Sequence, residues 1–225
     1  MKYIFLFMSI LFLFSCEEEE NFSEPFYVAE NGVTIKARDW VTAGTTGVLN
    51  GINYIAIDDI LISISDFKSR YPEITELKQL VTTLVTDMTN YPGGYLLFWQ
   101  FDDFKSIETW DVSNVTSMAG LFNTCNCFNP EYVEDIPDLT YWDVSSVTNM
   151  SAMFSHIYGG AMFNQDISGW DVSNVTDMTR MFMGNQYFNQ DLSGWDVSKV
   201  TNCDQFSDWT AKWTLPKPNF PISCN

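Results

Sequence analysis

One nine-residue string, repeated along the chain, limits the possible fold more than any other feature. Three copies read Trp-Asp-Val-Ser-x-Val-Thr-x-Met, and a fourth ends in Cys instead of Met. The copies occupy residues 110–118, 142–150, 170–178 and 195–203, and a degenerate earlier copy occupies 84–88. Equivalent positions are 25 to 32 residues apart (178 to 203 and 118 to 150). A period of this size indicates a repeat architecture built from small supersecondary units.

Each unit also carries apolar residues on either side of the string. Three and four positions after the Met stand a Leu or Met and a Phe (Phe206 alone in the last copy), which predicts one helical turn. The preceding Thr is a suitable N-cap, and an Ile or Leu three positions before each Trp predicts a short strand. The predicted caps are Thr116, Thr148, Thr176 and Thr201, and the predicted strand positions are Ile107, Leu139, Ile167 and Leu192. Because one unit cannot bury these side chains alone, the units should stack into apolar columns.

The Asp of each string would form a column of its own, in which neighbouring carboxylates repel one another. An Asx-type bond from each Asp to the backbone N–H two residues on would hold it locally. The predicted donors are Ser113, Ser145, Ser173 and Ser198. The alternative is a calcium ladder along the column. We favour the Asx bonds because no compact Asp-x-Asp-x-Asp pattern accompanies the column, and we predict no metal site and no cofactor.

The first fifteen residues have the features of a secretory signal peptide. Lys2 gives a positive start, and residues 3–14 are almost entirely apolar. This run is too short to span a bilayer but is typical of a signal-peptide core. Residues 13–16 resemble the lipobox of bacterial lipoproteins, although Phe14 departs from the usual residue at its position. The resemblance implies that Cys16 carries lipid; the alternative is ordinary signal cleavage, with Cys16 lost or structural.

Four glutamates at residues 17–20 follow that cysteine directly. Such a run of carboxylates cannot pack and should form a solvated tether. It also resembles the acid-rich export signal that some diderm bacteria place after the lipid cysteine to send lipoproteins to the outer face. We therefore predict a lipid-anchored protein of the bacterial outer membrane, exposed at the cell surface.

The repeat as a whole resembles a known family. The string Trp-Asp-Val-Ser-Asn-Val-Thr-x-Met-x-x-Met-Phe, followed by Phe-Asn-Gln-Asp-Ile-Ser-Gly-Trp, is similar to the repeat of BspA-like leucine-rich-repeat surface proteins, including their lipoprotein-associated repeat domain of unknown function. The similarity covers about residues 80–210. It implies a leucine-rich-repeat-like solenoid, with short parallel strands and one helical turn in each of about five coils. It also implies adhesion at the cell surface and carries over no catalytic residue.

The apolar ends of such an array need covers. At the N-terminal end, Asn31-Gly32 and Asn50-Gly51 predict two hairpins with type I′ turns, followed by a helix at about residues 60–70 with Asp58 or Asp59 as its cap. The chain would then divide into a signal peptide (1–15), an acidic tether (16–24), an N-terminal cap (25–80), the repeats (81–206) and a C-terminal cap (207–225).

The cysteines that remain after lipidation are even in number, which is compatible with disulfides in an exported protein. A bridge between Cys203 and Cys224 would staple the proline-containing C-terminal segment across the last coil, and the alternative is two buried thiols. Cys125 and Cys127 are too close in sequence for an unstrained bridge, so they should be free or loosely paired.

Little in the chain indicates catalysis. The net charge of −18 argues against a nucleic-acid partner, because a phosphate backbone would be repelled. His156 is the only histidine, and a single His in a repeat insertion is more often a surface residue than a base or a metal ligand. No nucleophile motif, phosphate loop or zinc-spaced cluster is present. We predict that the protein is not an enzyme.

Two functions then remain. The first is an adhesion or binding module that binds a protein or glycan ligand on one face of the repeats. The second is a structural or assembly component of the cell envelope. Insertions between repeats contain the aromatic residues of the candidate binding face, Tyr91, Tyr95, Trp99, Tyr132 and Tyr158. If these rings cluster on one exposed face, they favour ligand binding. If they are buried between coils, they contribute only to packing.

Overall fold

The computed structural model describes residues 23–63, 66–90, 107–123, 137–156 and 162–224. The predicted signal peptide, Cys16 and the glutamate run lie outside the described residues. So do Cys125 and Cys127 and the five aromatic residues of the predicted binding face, Tyr91, Tyr95, Trp99, Tyr132 and Tyr158.

The first sheet is a two-stranded hairpin of β1 (Phe26–Val28) and β2 (Ile35–Ala37). The strands are antiparallel, and Val28 pairs with Ile35. The connection is therefore longer than the two-residue type I′ turn predicted at Asn31-Gly32. The Asn31 side-chain oxygen accepts hydrogen bonds from the backbone N–H groups of Val33 and Thr34, at 3.0 and 2.9 Å. These Asx-type bonds satisfy two backbone N–H groups inside the longer loop.

The second sheet contains β3 (Thr46–Leu49), β4 (Ile52–Asp58) and β5 (Leu80–Leu84). Strands β3 and β4 are antiparallel, and β5 pairs with β4 in parallel. Between β3 and β4, Asn50 and Gly51 have φ values of 52° and 79°. Positive φ at both central residues is what a type I′ turn requires. The predicted turn at Asn50-Gly51 is thus confirmed.

The predicted helix at 60–70 is only partly formed. A 3-10 turn covers Leu61–Ser63, and α1 is limited to Phe67–Arg70. The Asp58 carboxylate accepts the N–H of Ile60 and of Leu61, at 3.1 and 2.9 Å, so this residue caps the 3-10 turn. The segment is rich in Ile and Ser, which favour helices less than unbranched side chains do.

The predicted leucine-rich-repeat-like solenoid, with a strand and a helical turn in each coil, is wrong. Among the described residues, both small sheets and α1 lie before residue 85. The described repeats contain 3-10 turns at Ile107–Thr109 and Leu139–Tyr141, other turns, and isolated bridges instead of strands. The bridges are parallel and join single residues of successive repeats, Asp87 to Ser117, Ser117 to Asn149, Asn149 to Asp177, and Asp177 to Asn202.

The helical turn fails because the backbone after each Met adopts a left-handed conformation. A residue with positive φ stands two positions after each Met or Cys, and such a residue interrupts a right-handed helix. These residues are Gly120, Ala152, Arg180 and Gln205, with φ between 53° and 64°. The predicted Thr caps are also wrong. Each Thr hydroxyl donates to the carbonyl oxygen of the Thr one repeat earlier; the bond from Thr148 to Thr116 measures 3.1 Å.

The predicted strand before each Trp is replaced by a tight turn. The backbone N–H of Trp142 donates to the carbonyl oxygen of Leu139 at 3.1 Å, and equivalent bonds precede the other repeat tryptophans. The indole Nε1 of each repeat Trp donates to a carbonyl of the preceding unit, as from Trp170 to Leu139 at 3.1 Å. The carbonyl of Leu139 is therefore fully used by two tryptophans and cannot join a strand ladder.

The repeated apolar residues are buried together in one core that extends from Ile55 to Trp213. Phenylalanines of successive units stack on one another, with ring centroids 5.6 Å apart from Phe122 to Phe154 and again from Phe154 to Phe182. The methionines at the ends of the strings have no exposed surface. Packing between units thus stabilises the repeats although they lack regular strands and helices.

The C-terminal segment is attached by a disulfide between Cys203 and Cys224, whose Cα atoms are 4.9 Å apart. The prediction of this bridge is confirmed. Phe220 packs against Phe206 with a centroid distance of 4.9 Å, and the indole of Trp213 donates to the carbonyl of Gln190 at 2.9 Å. Residues 213–224 therefore lie against the last repeats.

Candidate ligand-binding groove

A groove opens where the β1–β2 hairpin faces the first two repeat strings. Its volume is 470 Å³, within the range of about 300–1,000 Å³ typical of small-molecule sites. The strand pairing places Tyr27 of β1 opposite Lys36 of β2. The residues lining the groove are Tyr27, Val28, Ala29, Glu30, Asn31, Thr34, Lys36, Trp110, Asp111, Val112, Tyr141 and Asp143.

An ion pair is part of the lining of this groove. The Lys36 ammonium is 3.4 Å from Asp111 Oδ1, and the two side chains are 31% and 2% exposed. Asp111 Oδ1 also accepts hydrogen bonds from the backbone N–H and the hydroxyl of Ser113, at 3.2 and 2.7 Å. Asp111 Oδ2 is buried and has no hydrogen-bond partner within the described ranges. Burying a carboxylate without a counter-ion costs free energy. The ion pair with Asp111 is therefore favoured, and it fixes the position of the Lys36 ammonium.

Aromatic residues border the ion pair. Tyr141 is 49% exposed, and Tyr27 is half-buried with the Arg38 guanidinium 5.0 Å from its ring centroid, a cation–π contact. Tyr27 also lines a second cavity of 320 Å³, together with Arg38, Asp39 and Trp40. Trp40 is 55% exposed. We call the two cavities together the Tyr27 groove.

The aspartate column carries the local bonds expected of it. Each Asp Oδ1 accepts the backbone N–H of the Ser two residues on, at 3.2, 3.1, 3.0 and 3.0 Å for Asp111, Asp143, Asp171 and Asp196. The Asx-type prediction is confirmed. The hydrogen bonds from Ser173 and Ser198 hold the pKa values of Asp171 and Asp196 below the ordinary value. Among the residues described, no group of three or more His, Cys, Asp or Glu could hold a metal ion.

His156 is not the surface residue that was predicted. It is 6% exposed, and its backbone N–H donates to the carbonyl of Met183 at 2.8 Å. Burial lowers the pKa of the imidazole below its ordinary value, because the charged form loses solvation. His156 thus belongs to the interior and lies outside the Tyr27 groove.

Sequence reasoning missed the Tyr27 groove because the structure joins distant segments there. Residues 27–40 come from the β1–β2 hairpin and its continuation, and residues 110–143 come from two repeat strings. A local signal did exist: Lys36 stands between the apolar residues Ile35 and Ala37 of β2, which predicts that its side chain faces away from the core.

Comparison with known proteins gives a family. The model of the family described as Mycoplasma protein of unknown function, DUF285, matches residues 64–156 and again residues 133–216. The two matches together cover more than half of the chain and span the repeats. No curated protein and no solved structure matches the chain. In the described part of the chain, no helix has the length and hydropathy needed to cross a membrane.

Proposed function

We propose that this chain, which belongs to the DUF285 family of proteins of unknown function, is a non-catalytic cell-surface lipoprotein that binds a ligand or mediates adhesion. Within that family we assign it to the BspA-like surface proteins, because its repeat string has the Trp-Asp-Val-Ser-Asn-Val-Thr pattern and follows a lipoprotein-like leader. The ligand would be a protein or a glycan at the cell surface.

The anchoring part of the proposal depends on the N-terminal sequence. An apolar leader ends at Cys16, and four glutamates follow it. Acylation of Cys16 would attach the protein to the outer membrane, and the acidic tether would hold the folded part away from the lipid. A net charge of −18 favours a soluble, self-repelling exterior.

The observation that carries the binding function is the Tyr27 groove. Binding sites are typically concave and combine apolar or aromatic walls with a few fixed polar groups. Here the exposed ring of Tyr141 lines the same cavity as the ion pair of Lys36 and Asp111, and the exposed ring of Trp40 lines the second cavity. Since the two charged groups are paired with each other, they suit hydrogen bonding to a ligand better than proton transfer to a substrate.

A structural role in the envelope is the second candidate, and the C-terminal end of the molecule favours it. Three apolar side chains there are exposed, Trp209 by 66%, Leu215 by 43% and Ile222 by 40%. Exposed apolar groups are typical of surfaces that contact other proteins. A component that assembles with envelope proteins would use this end and leave the Tyr27 groove empty.

The test is protease treatment of intact cells that produce the full-length protein, followed by immunoblotting. Wild type should be degraded, and a periplasmic control protein should survive. Cys16→Ser should no longer incorporate labelled palmitate and should leave the membrane fraction. Survival of the wild-type protein on intact cells, or palmitate labelling that does not depend on Cys16, would overturn the surface-lipoprotein proposal.

A further inference from the structure

We infer that the Tyr27 groove binds a neutral oligosaccharide; this inference rests on the proposed ligand-binding function and names its ligand class. Three observations support it: an exposed aromatic ring in each of the two cavities, side chains that can donate and accept hydrogen bonds, and acidic side chains that repel anions.

The aromatic rings are suited to the apolar faces of sugar rings. Tyr141 and Trp40 are 49% and 55% exposed, in a protein whose repeat tryptophans are buried. The electron-rich face of an aromatic ring attracts polarised C–H groups, which a pyranose presents on one face. The two cavities share Tyr27, and Tyr141 lines the first while Trp40 lines the second, so each cavity offers an aromatic surface to a sugar unit of an oligosaccharide.

The polar groups suit hydroxyls, which both donate and accept hydrogen bonds. Lys36 is fixed by Asp111 and remains 31% exposed, so its ammonium can donate to a ligand oxygen. Asp143 is exposed, and its Oδ1 accepts from the N–H and hydroxyl of Ser145 at 3.1 and 2.6 Å. A carboxylate has more acceptor capacity than these two bonds use. A neutral hydroxylated ligand satisfies both kinds of group at once.

The charges disfavour an anionic ligand. An anionic ligand would approach a molecule of net charge −18 and would meet Glu30, Asp39 and Asp143 at the groove, which repel it. A cationic ligand would compete with Lys36 for Asp111 and with Arg38 for the face of the Tyr27 ring. A neutral ligand meets neither this repulsion nor this competition.

The experiment uses the full-length protein on an array of neutral tri- to hexasaccharides of glucose, galactose, mannose and N-acetylglucosamine. The best glycan is then titrated in solution against wild type and variants. Trp40→Ala and Tyr141→Ala should each weaken binding about tenfold, the loss expected for an aromatic residue at the centre of a binding site. Both side chains are largely exposed, so neither change should unfold the protein.

Matched controls come from exposed aromatic residues outside the groove. Trp209→Ala and Tyr187→Ala remove rings that are 66% and 37% exposed and should leave binding unchanged. Failure of every neutral glycan to bind, preference for an acidic glycan, or equal losses in the groove and control variants would overturn the inference. A surface-exposed protein that binds only a protein ligand would also overturn it, while the proposed function would stand. Survival in the protease experiment would instead contradict the proposed function.

Discussion

At the residue scale, the indole N–H of each repeat tryptophan links one unit to the unit before it. The tryptophans at 110, 142, 170 and 195 are at most 5% exposed. Each donates through Nε1 at 3.1 Å to the carbonyl of Leu77, Ile107, Leu139 and Ile167, respectively. A Phe would fill part of the same space but could not donate this bond. Hydrogen bonding as well as burial therefore explains why tryptophan occupies this position of each repeat.

Replacing Trp170 with Phe should therefore destabilise the protein. The change removes the indole bond to Leu139 and leaves a cavity, which together should lower the free energy of unfolding by about 2 kcal/mol. Urea denaturation followed by circular dichroism measures the shift in midpoint. Trp209→Phe alters an exposed ring and serves as the control. An unchanged midpoint for Trp170→Phe would contradict a structural role of the indole bond.

His156 gives a prediction for pH. Because burial lowers its pKa in the folded state, the unfolded chain binds a proton first as the pH falls through the ordinary value near 6.5. Stability should consequently fall as the pH is lowered from about 7.5 to about 5.5, and fall less in His156→Gln. The chain has one histidine, so a single imidazole NMR signal reports the titration. A folded-state pKa at or above 6.5 would refute the prediction.

At the scale of elements, the sequence predicted correctly those features that depend on neighbouring residues. It failed for features that depend on contacts between distant parts of the chain. The turn at Asn50-Gly51 follows from the conformations that these two residues accept, and the Asx bonds follow from side chains two positions apart. The prediction of a strand and a helical turn in each repeat was wrong, because backbone hydrogen bonds to the neighbouring unit replace the bonds of these elements. The Tyr27 groove combines the β1–β2 hairpin with two repeats, a juxtaposition that no local pattern encodes.

The left-handed residue after each Met can be tested at Gly120. Its φ is 64°, and a Cβ there would clash with the carbonyl oxygen of Asn90. Gly120→Ala should lower the free energy of unfolding by about 2 kcal/mol, through backbone strain and this contact. Gly169→Ala is the matched control, because a Cβ at that position has no neighbour within 4 Å. Equal midpoints in urea for the two variants would contradict the prediction.

At the scale of the whole molecule, one core joins parts of the chain that differ in local structure. The sheet residues Ile55 and Leu80 belong to the same buried cluster as the repeat residues up to Trp213. A smaller cluster packs the β1–β2 hairpin against the second sheet and includes Phe26, Ile35 and Val81. Trp110 and Val112 of the large core also line the groove, so packing in that core holds this wall in place.

The C-terminal disulfide completes the large core, and its removal tests how strongly the last segment stabilises the whole. The bridge spans 21 residues, so its loss in Cys224→Ser should lower the free energy of unfolding by about 3 kcal/mol in the chain-entropy model. Cys224 is the better position to change, because Cys203 is fully buried and a hydroxyl there would add an unpaired polar group.

Thermal denaturation with and without reductant provides the control. Reductant should lower the midpoint of the wild type to that of the variant and leave the variant unchanged, and a reductant-insensitive wild type would show that the bridge does not stabilise the fold.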